Sequence, residues 1–224
     1  IGARGWNPVS GGGFYPSELP DDWRFCFYSN NLRSVLVPQE ISNSAQRADV
    51  AQWLEDSDPA FRFVVELPAI LGLPLTHGKR EQALAQFFEI LEPIAPRTAG
   101  LLLRIAPDTE VLPDWFEHFL NRLADTAPLC VDLPEGPGRA PVVLAALERQ
   151  GAGLAWHCAR EAGPHPGGRL LVAYAPPAPA RELRRFIERL AQWQGQGSFA
   201  GLFFDADAAK TAQEARLIAE LMGV

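Results

Sequence analysis

Four charged residues lie where apolar, strand-like runs of this 224-residue chain come to an end: Glu66, Arg104, Asp132 and Asp205. If these ends meet, three acids and one guanidinium surround a single opening. An acid held among other charges can serve as a general acid or base, so Asp132 or Glu66 could transfer protons. Alternatively, Arg104 neutralises two of the acids in a structural network, since a buried charge is usually paired. The sequence favours this second interpretation.

Two histidines raise the question of further chemistry. His77, in PLTHGKR, lies between a predicted strand and a predicted helix, where an imidazole could act as an acid, a base or a donor to an anion. A structural role, in which His77 bonds a nearby carbonyl and fixes a loop, is equally consistent with the sequence. His157 precedes Cys158, but neighbouring residues of a strand face opposite sides of the sheet, so they cannot share one site. For His157 we therefore favour a structural role.

Strand ends also carry aromatic and basic residues, and Gln39 and Glu40 lie just beyond the second predicted strand. The catalytic candidates are His77, Asp132 and Glu66. The predicted ligand is a small polar or anionic metabolite. The predicted ligand-binding set is Arg4, Trp6, His77, Arg104, Asp132, Tyr174 and Asp205.

The apolar pattern predicts the elements that position these residues. Short apolar or β-branched runs predict eight strands, at 1–6, 33–37, 61–67, 100–106, 128–133, 151–158, 168–175 and 201–205. Amphipathic segments predict helices at 44–56, 79–94, 113–125, 141–150, 180–193 and 208–222. Such alternation is typical of a parallel sheet covered by helices. Eight units predict one (β/α)8 TIM-like barrel over residues 1–224, with its chemistry at the carboxyl ends of the strands.

One unit of this predicted barrel is irregular. The stretch EAGPHPGG at 161–168 follows the sixth predicted strand, and its glycines and prolines cannot sustain the expected helix. The glycine cluster at 11–13 precedes no Lys-Ser/Thr and matches neither a P-loop nor a dinucleotide fingerprint. It is better interpreted as a flexible loop over the barrel opening.

Composition excludes several classes of partner. A formal net charge of -7, without a basic cluster interleaved with aromatics, argues against nucleic-acid binding. No apolar run approaches the roughly 20 residues of a membrane helix, and no signal peptide precedes Ile1, so a soluble cytoplasmic protein is expected. Three widely spaced cysteines in apolar contexts favour buried thiols over disulfides. Oligomeric state does not follow from the sequence.

The motifs, taken in order, resemble those of the YecE-like family, a TIM-barrel domain of unknown function (DUF72). The resemblance runs over essentially the whole chain and is moderately specific, because it rests on five motifs in the right order. They are IGARGW with FYP at 14–16, FRFVVELP at 61–68, LTH at 75–77, GLLLRIAP at 100–107 and GLFFDAD at 201–207.

The departures from the family pattern fall where a barrel would keep its site. Leu36 and Pro38 stand in for an acid and an amide, Glu66 for a lysine, Arg104 for a glutamine, Pro134 for an arginine, and Ala173 and Ala175 for an arginine and a histidine. The resemblance therefore implies a degenerate, non-catalytic pocket with a ligand-binding or scaffold role. The alternative is an enzyme that uses the altered charged opening for hydrolase- or lyase-type acid/base chemistry on a small polar or sugar-like metabolite.

The aspartates of GLFFDADAAK have different expected roles. Asp205 corresponds to a family asparagine at a strand end, so the resemblance places it at the barrel opening. Asp207 precedes a helix and fits the N-cap position, where its carboxylate would accept free amide hydrogens. Two aspartates need a third oxygen ligand from another strand to hold a metal, and Cys and His form no cluster at ligand spacing. We predict no metal and no cofactor.

Overall fold

The computed structural model describes residues 1–9, 13–72, 77–106, 113–193 and 199–224, so most of the glycine cluster at 11–13 lies outside the described residues. Within them, one sheet of nine parallel strands has the order β6-β5-β4-β3-β2-β1-β9-β8-β7. The strands are β1 (Gly2–Arg4), β2 (Ser34–Val37), β3 (Arg62–Glu66), β4 (Thr98–Arg104), β5 (Leu129–Asp132), β6 (Gly153–Leu154), β7 (Trp156–His157), β8 (Leu170–Tyr174) and β9 (Phe199–Asp205).

The two ends of this strand order meet within one short segment, residues 151–158. On one side, the Ala155 amide donates a hydrogen bond to the Val131 carbonyl of β5 (2.9 Å), and on the other, the Cys158 amide donates to the Tyr174 carbonyl of β8 (2.9 Å). The predicted sixth strand is therefore two short strands, β6 and β7, each paired with a different neighbour. The sheet is a TIM-like barrel, as predicted.

Helices surround the barrel: α1 (Arg24–Asn31), α2 (Gln39–Ser42), α3 (Arg47–Glu55), α4 (His77–Leu91), α5 (Pro113–Ala124), α6 (Pro141–Arg149), α7 (Ala180–Trp193) and α8 (Ala209–Met222). Between β7 and β8, residues 158–169 form no helix, which confirms the irregular unit. None of the helices in the described residues has the length and apolar character needed to cross a membrane.

Helix α1 was not predicted, because its sequence RFCFYSNN is rich in aromatic and asparagine residues of modest helix propensity. Tertiary contacts hold it in place. Its Tyr28 hydroxyl accepts a hydrogen bond from the Ala3 amide (2.6 Å) and donates one to the Ser34 carbonyl (2.9 Å). A single side chain thus links α1 to β1 and β2.

Apolar side chains fill both faces of the sheet. Most of the core lies between strands and helices, and a second cluster fills the barrel interior with Leu36, Val64, Leu102, Cys130, Ala155, Leu170, Val172 and Phe203. Because side chains alternate along a strand, the residue two positions beyond an interior one also faces inward. Several charged, imidazole and phenol side chains follow the interior cluster in this way: Glu66, Arg104, Asp132, His157, Tyr174 and Asp205.

Candidate functional site

The barrel mouth, the opening at the carboxyl ends of the strands, is organised around Glu66 of β3. This carboxylate is only 1% exposed and contacts two guanidinium groups. Arg4 Nη2 lies 3.1 Å from Glu66 Oε2, and Arg104 Nη1 lies 3.3 Å from Glu66 Oε1. A buried carboxylate needs such compensation, and here two different strands, β1 and β4, supply it.

Asp132 of β5 extends the network along the rim of the mouth. Its Oδ2 lies 3.4 Å from Arg104 Nε, and its Oδ1 lies 2.9 Å from His157 Nε2. The carboxylate thus holds a guanidinium with one oxygen and an imidazole with the other. Arg104 and Asp132 are paired in the parallel register of β4 and β5, which is why their side chains meet.

The His157 ring is also fixed by stacking. It lies against the Tyr174 ring, with centroids 4.9 Å apart and planes 23° from parallel, because His157 and Tyr174 are register partners on β7 and β8. The imidazole is 26% exposed, and its Nδ1 makes no hydrogen bond within the described residues. The ring is therefore oriented while one nitrogen stays available.

The Tyr174 hydroxyl is buried and has no hydrogen-bond partner in the described part of the chain. Burial raises the pKa of Tyr174 well above its usual range, and the negative charge of Asp132 raises it further, against the opposing effect of Arg104. The phenol therefore remains neutral over the physiological pH range. A neutral phenol can both donate and accept a hydrogen bond.

Arg104 is the most accessible cation of this network, with 43% of its side chain exposed. Burial alone would lower its pKa, but Tyr174, Glu66 and Asp132 outweigh that effect and raise it. Its described contacts use Nη1 and Nε, and Nη2 donates no hydrogen bond to the described residues. Arg104 can therefore hold its two carboxylates and still present N–H groups to a ligand.

Glu66, Arg104, Asp132 and His157 line one cavity of about 320 Å³, here called the mouth cavity, whereas Arg4 and Tyr174 are not among its lining residues. Ligand pockets of roughly 300 to 1,000 Å³ are common, so the volume suits a small molecule. The polar side chains that line the cavity include both acidic and basic groups: Gln39, Glu66, Arg104, Asp132, His157 and Arg160.

Arg4 faces a second groove, of about 620 Å³, that includes Glu40, Asp205 and Asp207. Arg4 Nη2 lies 3.0 Å from Glu40 Oε2. Asp205 is exposed and forms no ion pair within the described residues. The expected four-charge set is thus only partly assembled: Glu66, Arg104 and Asp132 are joined directly, whereas Asp205 lies beside Arg4.

Trp6 does not reach the mouth cavity. Its ring is buried against Phe25 (4.7 Å between centroids) and Trp53 (5.0 Å), within the core between strands and helices. Gly5 has a φ of +79°, a conformation that suits glycine. The chain turns there, so the regular alternation of side chains along β1 does not continue beyond Arg4. Trp6 therefore does not face the same side of the sheet as Arg4.

The two remaining expectations concern His77 and Asp207. His77 is the first residue of α4, but its side chain lies outside the described residues, as does Thr76. Asp207 does not occupy the predicted N-cap of α8, because a 3-10 turn at Ala206–Ala208 follows β9 and moves the helix start, so that the N-cap is Ala208.

The sequence did not predict that His157 would lie beside Asp132 and line the mouth cavity. As predicted from alternation, His157 and Cys158 face opposite sides of the sheet. Cys158 lies in the outer core, whereas Ala155, two residues before His157, lies in the barrel interior. By the same alternation, Asp132 faces inward from β5, which pairs with the segment that contains His157. In the residues that the structure describes, no group of three or more His, Cys, Asp or Glu is arranged to hold a metal.

Comparisons with known proteins agree with the fold. A family model described as "Protein of unknown function DUF72" matches residues 1–224, and no curated protein matches. A crystal structure of a DUF72 family protein from Thermotoga maritima is 16% identical, with 98% of each chain covered and a TM-score of 0.72. One from Enterococcus faecalis is 13% identical, over 89% of this chain and 93% of that chain, with a TM-score of 0.66. A D-psicose 3-epimerase crystallised with D-fructose is 11% identical, over 91% of this chain and 94% of that chain, with a TM-score of 0.59.

Proposed function

This chain belongs to the DUF72 family, whose description assigns no function, and we propose that it binds a small polar metabolite in the mouth cavity. The observation that carries the proposal is Arg104 on the wall of this cavity, which is 43% exposed and whose Nη2 group donates no hydrogen bond to the described residues. A hydrogen bond to a charged group contributes roughly 1.5 to 3 kcal/mol. A ligand oxygen that accepts a hydrogen bond from Arg104 gains such a contribution.

The lining of the mouth cavity selects the class of ligand. The carboxylate of Asp132 accepts hydrogen bonds from hydroxyl groups, and Arg104 donates to a carbonyl or carboxylate oxygen. A small molecule that carries several hydroxyls and one carbonyl or carboxylate satisfies both kinds of group. The epimerase neighbour was crystallised with D-fructose, a molecule of this kind, although its 11% identity is a likeness of fold alone.

A scaffold protein with a degenerate pocket is the competing interpretation, and it rests on the residues that depart from the family pattern. Leu36, Ala173 and Ala175 are buried apolar side chains, so they offer a ligand no hydrogen bonds. The pairing of Arg104 with Glu66 and Asp132 nevertheless keeps a charged, partly exposed group at the cavity wall. This residual polarity favours ligand binding over a scaffold role.

A thermal-shift and native mass spectrometry screen tests the proposal. The probes are glycerol, dihydroxyacetone, D-fructose, D-glucose and L-lactate, which vary in hydroxyl count, carbonyl and charge. A ligand at about 100 times its Kd stabilises the folded state by about 2.7 kcal/mol. We expect at least one probe to raise the melting temperature, and Arg104→Gln to weaken that binding about tenfold or more.

The control is Arg184→Gln on α7, which alters an exposed pair with Glu188 and should bind the probe as the parent does. A screen in which no probe binds, or in which Arg104→Gln leaves binding unchanged, contradicts ligand binding in the mouth cavity and favours the scaffold interpretation.

A further inference from the structure

Resting on the proposed function, we infer that the mouth cavity is also catalytic: His157, oriented by Asp132, removes a proton from the carbon next to a carbonyl group of an α-hydroxy carbonyl compound. The proposal depends on three side chains that line this cavity, His157, Asp132 and Arg104. It assigns a reaction class and a substrate class to the same cavity that binds the ligand.

The hydrogen bond to Asp132 determines which imidazole nitrogen is basic. An ionised carboxylate only accepts hydrogen bonds, so His157 Nε2, at 2.9 Å from Asp132 Oδ1, carries the proton in the neutral ring. The lone pair therefore resides on Nδ1, which has no hydrogen-bond partner among the described residues. Asp132 also stabilises the imidazolium that forms when Nδ1 takes up a proton.

Arg104 provides the complementary electrophilic group. It flanks the same carboxylate as His157, through Asp132 Oδ2 at 3.4 Å, and both side chains line the mouth cavity. Its Nη2 group donates no hydrogen bond within the described residues. A guanidinium held in place before the reaction stabilises negative charge on an oxygen without reorganising.

The remaining acid is poorly placed for catalysis. Glu66 is 1% exposed and contacts both Arg4 and Arg104, so it is not free to attack a substrate or protonate a leaving group. Glycoside hydrolysis needs two carboxyl groups that flank the scissile bond. The geometry favours proton transfer by one base over hydrolysis by two acids.

The step balances without an added reagent. His157 Nδ1 forms a bond to hydrogen as the C–H bond of the substrate breaks, and the C–H electron pair becomes the double bond of an enediolate. The carbonyl electron pair moves onto oxygen, beside Arg104. Return of the proton to the former carbonyl carbon, with transfer of the hydroxyl proton to the other oxygen, gives an isomer of the substrate. Nothing is oxidised or reduced overall.

The first test needs no ligand. Long-range ¹H–¹⁵N NMR distinguishes the imidazole tautomers, and His157→Gln identifies the signal. We expect neutral His157 to carry its proton on Nε2, and Asp132→Asn, which can donate as well as accept, to change that preference. A proton on Nδ1 in the parent protein overturns the assignment of the base.

The second test measures proton removal directly. Dihydroxyacetone and D-fructose are incubated with the protein in D₂O, and deuterium incorporation next to the carbonyl is followed by ¹H NMR. General base catalysis contributes typically 10²–10⁴-fold, so His157→Gln should slow the exchange at least about 100-fold while probe binding changes less than about threefold. His165→Gln, at a half-buried loop histidine that does not line the mouth cavity, is the matched control and should exchange as the parent does.

Asp132 is a positioning residue in this scheme, so Asp132→Asn should lower kcat for exchange more than it raises KM. Binding and exchange are scored separately. A probe that binds the parent protein in the mouth cavity but exchanges no faster than without protein refutes the catalytic inference and leaves the proposed binding function intact. If neither dihydroxyacetone nor D-fructose binds, the catalytic inference fails for this substrate class, and so does the binding of such compounds in the mouth cavity, on which it rests.

Discussion

Removing both guanidinium partners of Glu66 should destabilise the protein by more than the sum of the two single removals. Arg4→Ala leaves Glu66 paired with Arg104 at 3.3 Å, and Arg104→Ala leaves it paired with Arg4 at 3.1 Å. Asp132, in turn, keeps His157 at 2.9 Å when Arg104 is absent. Each single substitution therefore leaves every buried carboxylate of the network with a partner.

The magnitude follows from exposure. Arg4 and Arg104 are 24% and 43% exposed, so each contact is closer to a surface pair, worth at most about 1 kcal/mol, than to a fully buried one. The double variant leaves Glu66, 1% exposed, as an uncompensated buried charge, which typically costs about 3 to 5 kcal/mol. We expect about 1 kcal/mol for each single variant and about 4 kcal/mol for the double.

Urea denaturation at pH 7.5, followed by circular dichroism, measures these free energies of unfolding, and the melting temperature should fall by about 2 to 4 °C per kcal/mol for a chain of this size. Adding Glu66→Gln to the double variant should recover about 2 kcal/mol, because an unpaired buried amide costs less than an unpaired buried carboxylate. The matched control is Arg149→Ala with Arg184→Ala, two exposed pairs on separate helices, whose effects should be small and additive.

Additivity within about 0.5 kcal/mol for the Arg4 and Arg104 substitutions would refute the reasoning, since independent sites behave in this way. In that case Glu66 is not the shared anchor of the mouth. A large loss from Arg104→Ala alone would likewise show that Arg4 does not compensate Glu66.

Three other predictions follow from burial and close packing. Burial raises the pKa of all three tyrosines, so the folded state holds their protons more tightly than the unfolded chain, in which tyrosine ionises near pH 10. The stabilisation that comes from these raised pKa values is complete below about pH 10 and is lost as the pH rises further. In an alkaline titration, absorbance at 295 nm should therefore show tyrosinate only as the protein unfolds. Burial also raises the pKa of Cys158 to about 12 and raises that of Cys130, so Ellman's reagent should titrate at most Cys26 in the native protein and all three thiols in guanidinium. Gly153→Ala should destabilise the barrel by more than about 2 kcal/mol in urea, because its Cβ would lie 1.9 Å from the Leu170 carbonyl oxygen and rigid backbone must move to relieve the overlap. A Gly153→Ala variant as stable as the parent would show that β6 and β8 are not closely packed.

Much of the architecture could be predicted from the sequence because it depends on local periodicity. Alternating strand-like and helical patterns are set by neighbouring residues, and they identified every described strand segment and the irregular unit before β8. Helix α1 was missed because its stability comes from Tyr28 and other packed aromatic residues rather than from helix propensity. The split of the sixth strand also escaped prediction, since it reflects pairing with β5 and β8 at once.

The sequence by itself determined which residue types stand at the strand ends and which side of a strand each faces, because alternation is a property of the extended backbone. Only the tertiary structure decided the partners. Glu66 meets guanidinium groups 62 and 38 residues away in the chain, and His157 meets Asp132 because the segment 151–158 lies along β5. The turn at Gly5 sends Trp6 into the outer core, away from Arg4. Such contacts depend on register and closure of the whole sheet, which no local pattern encodes.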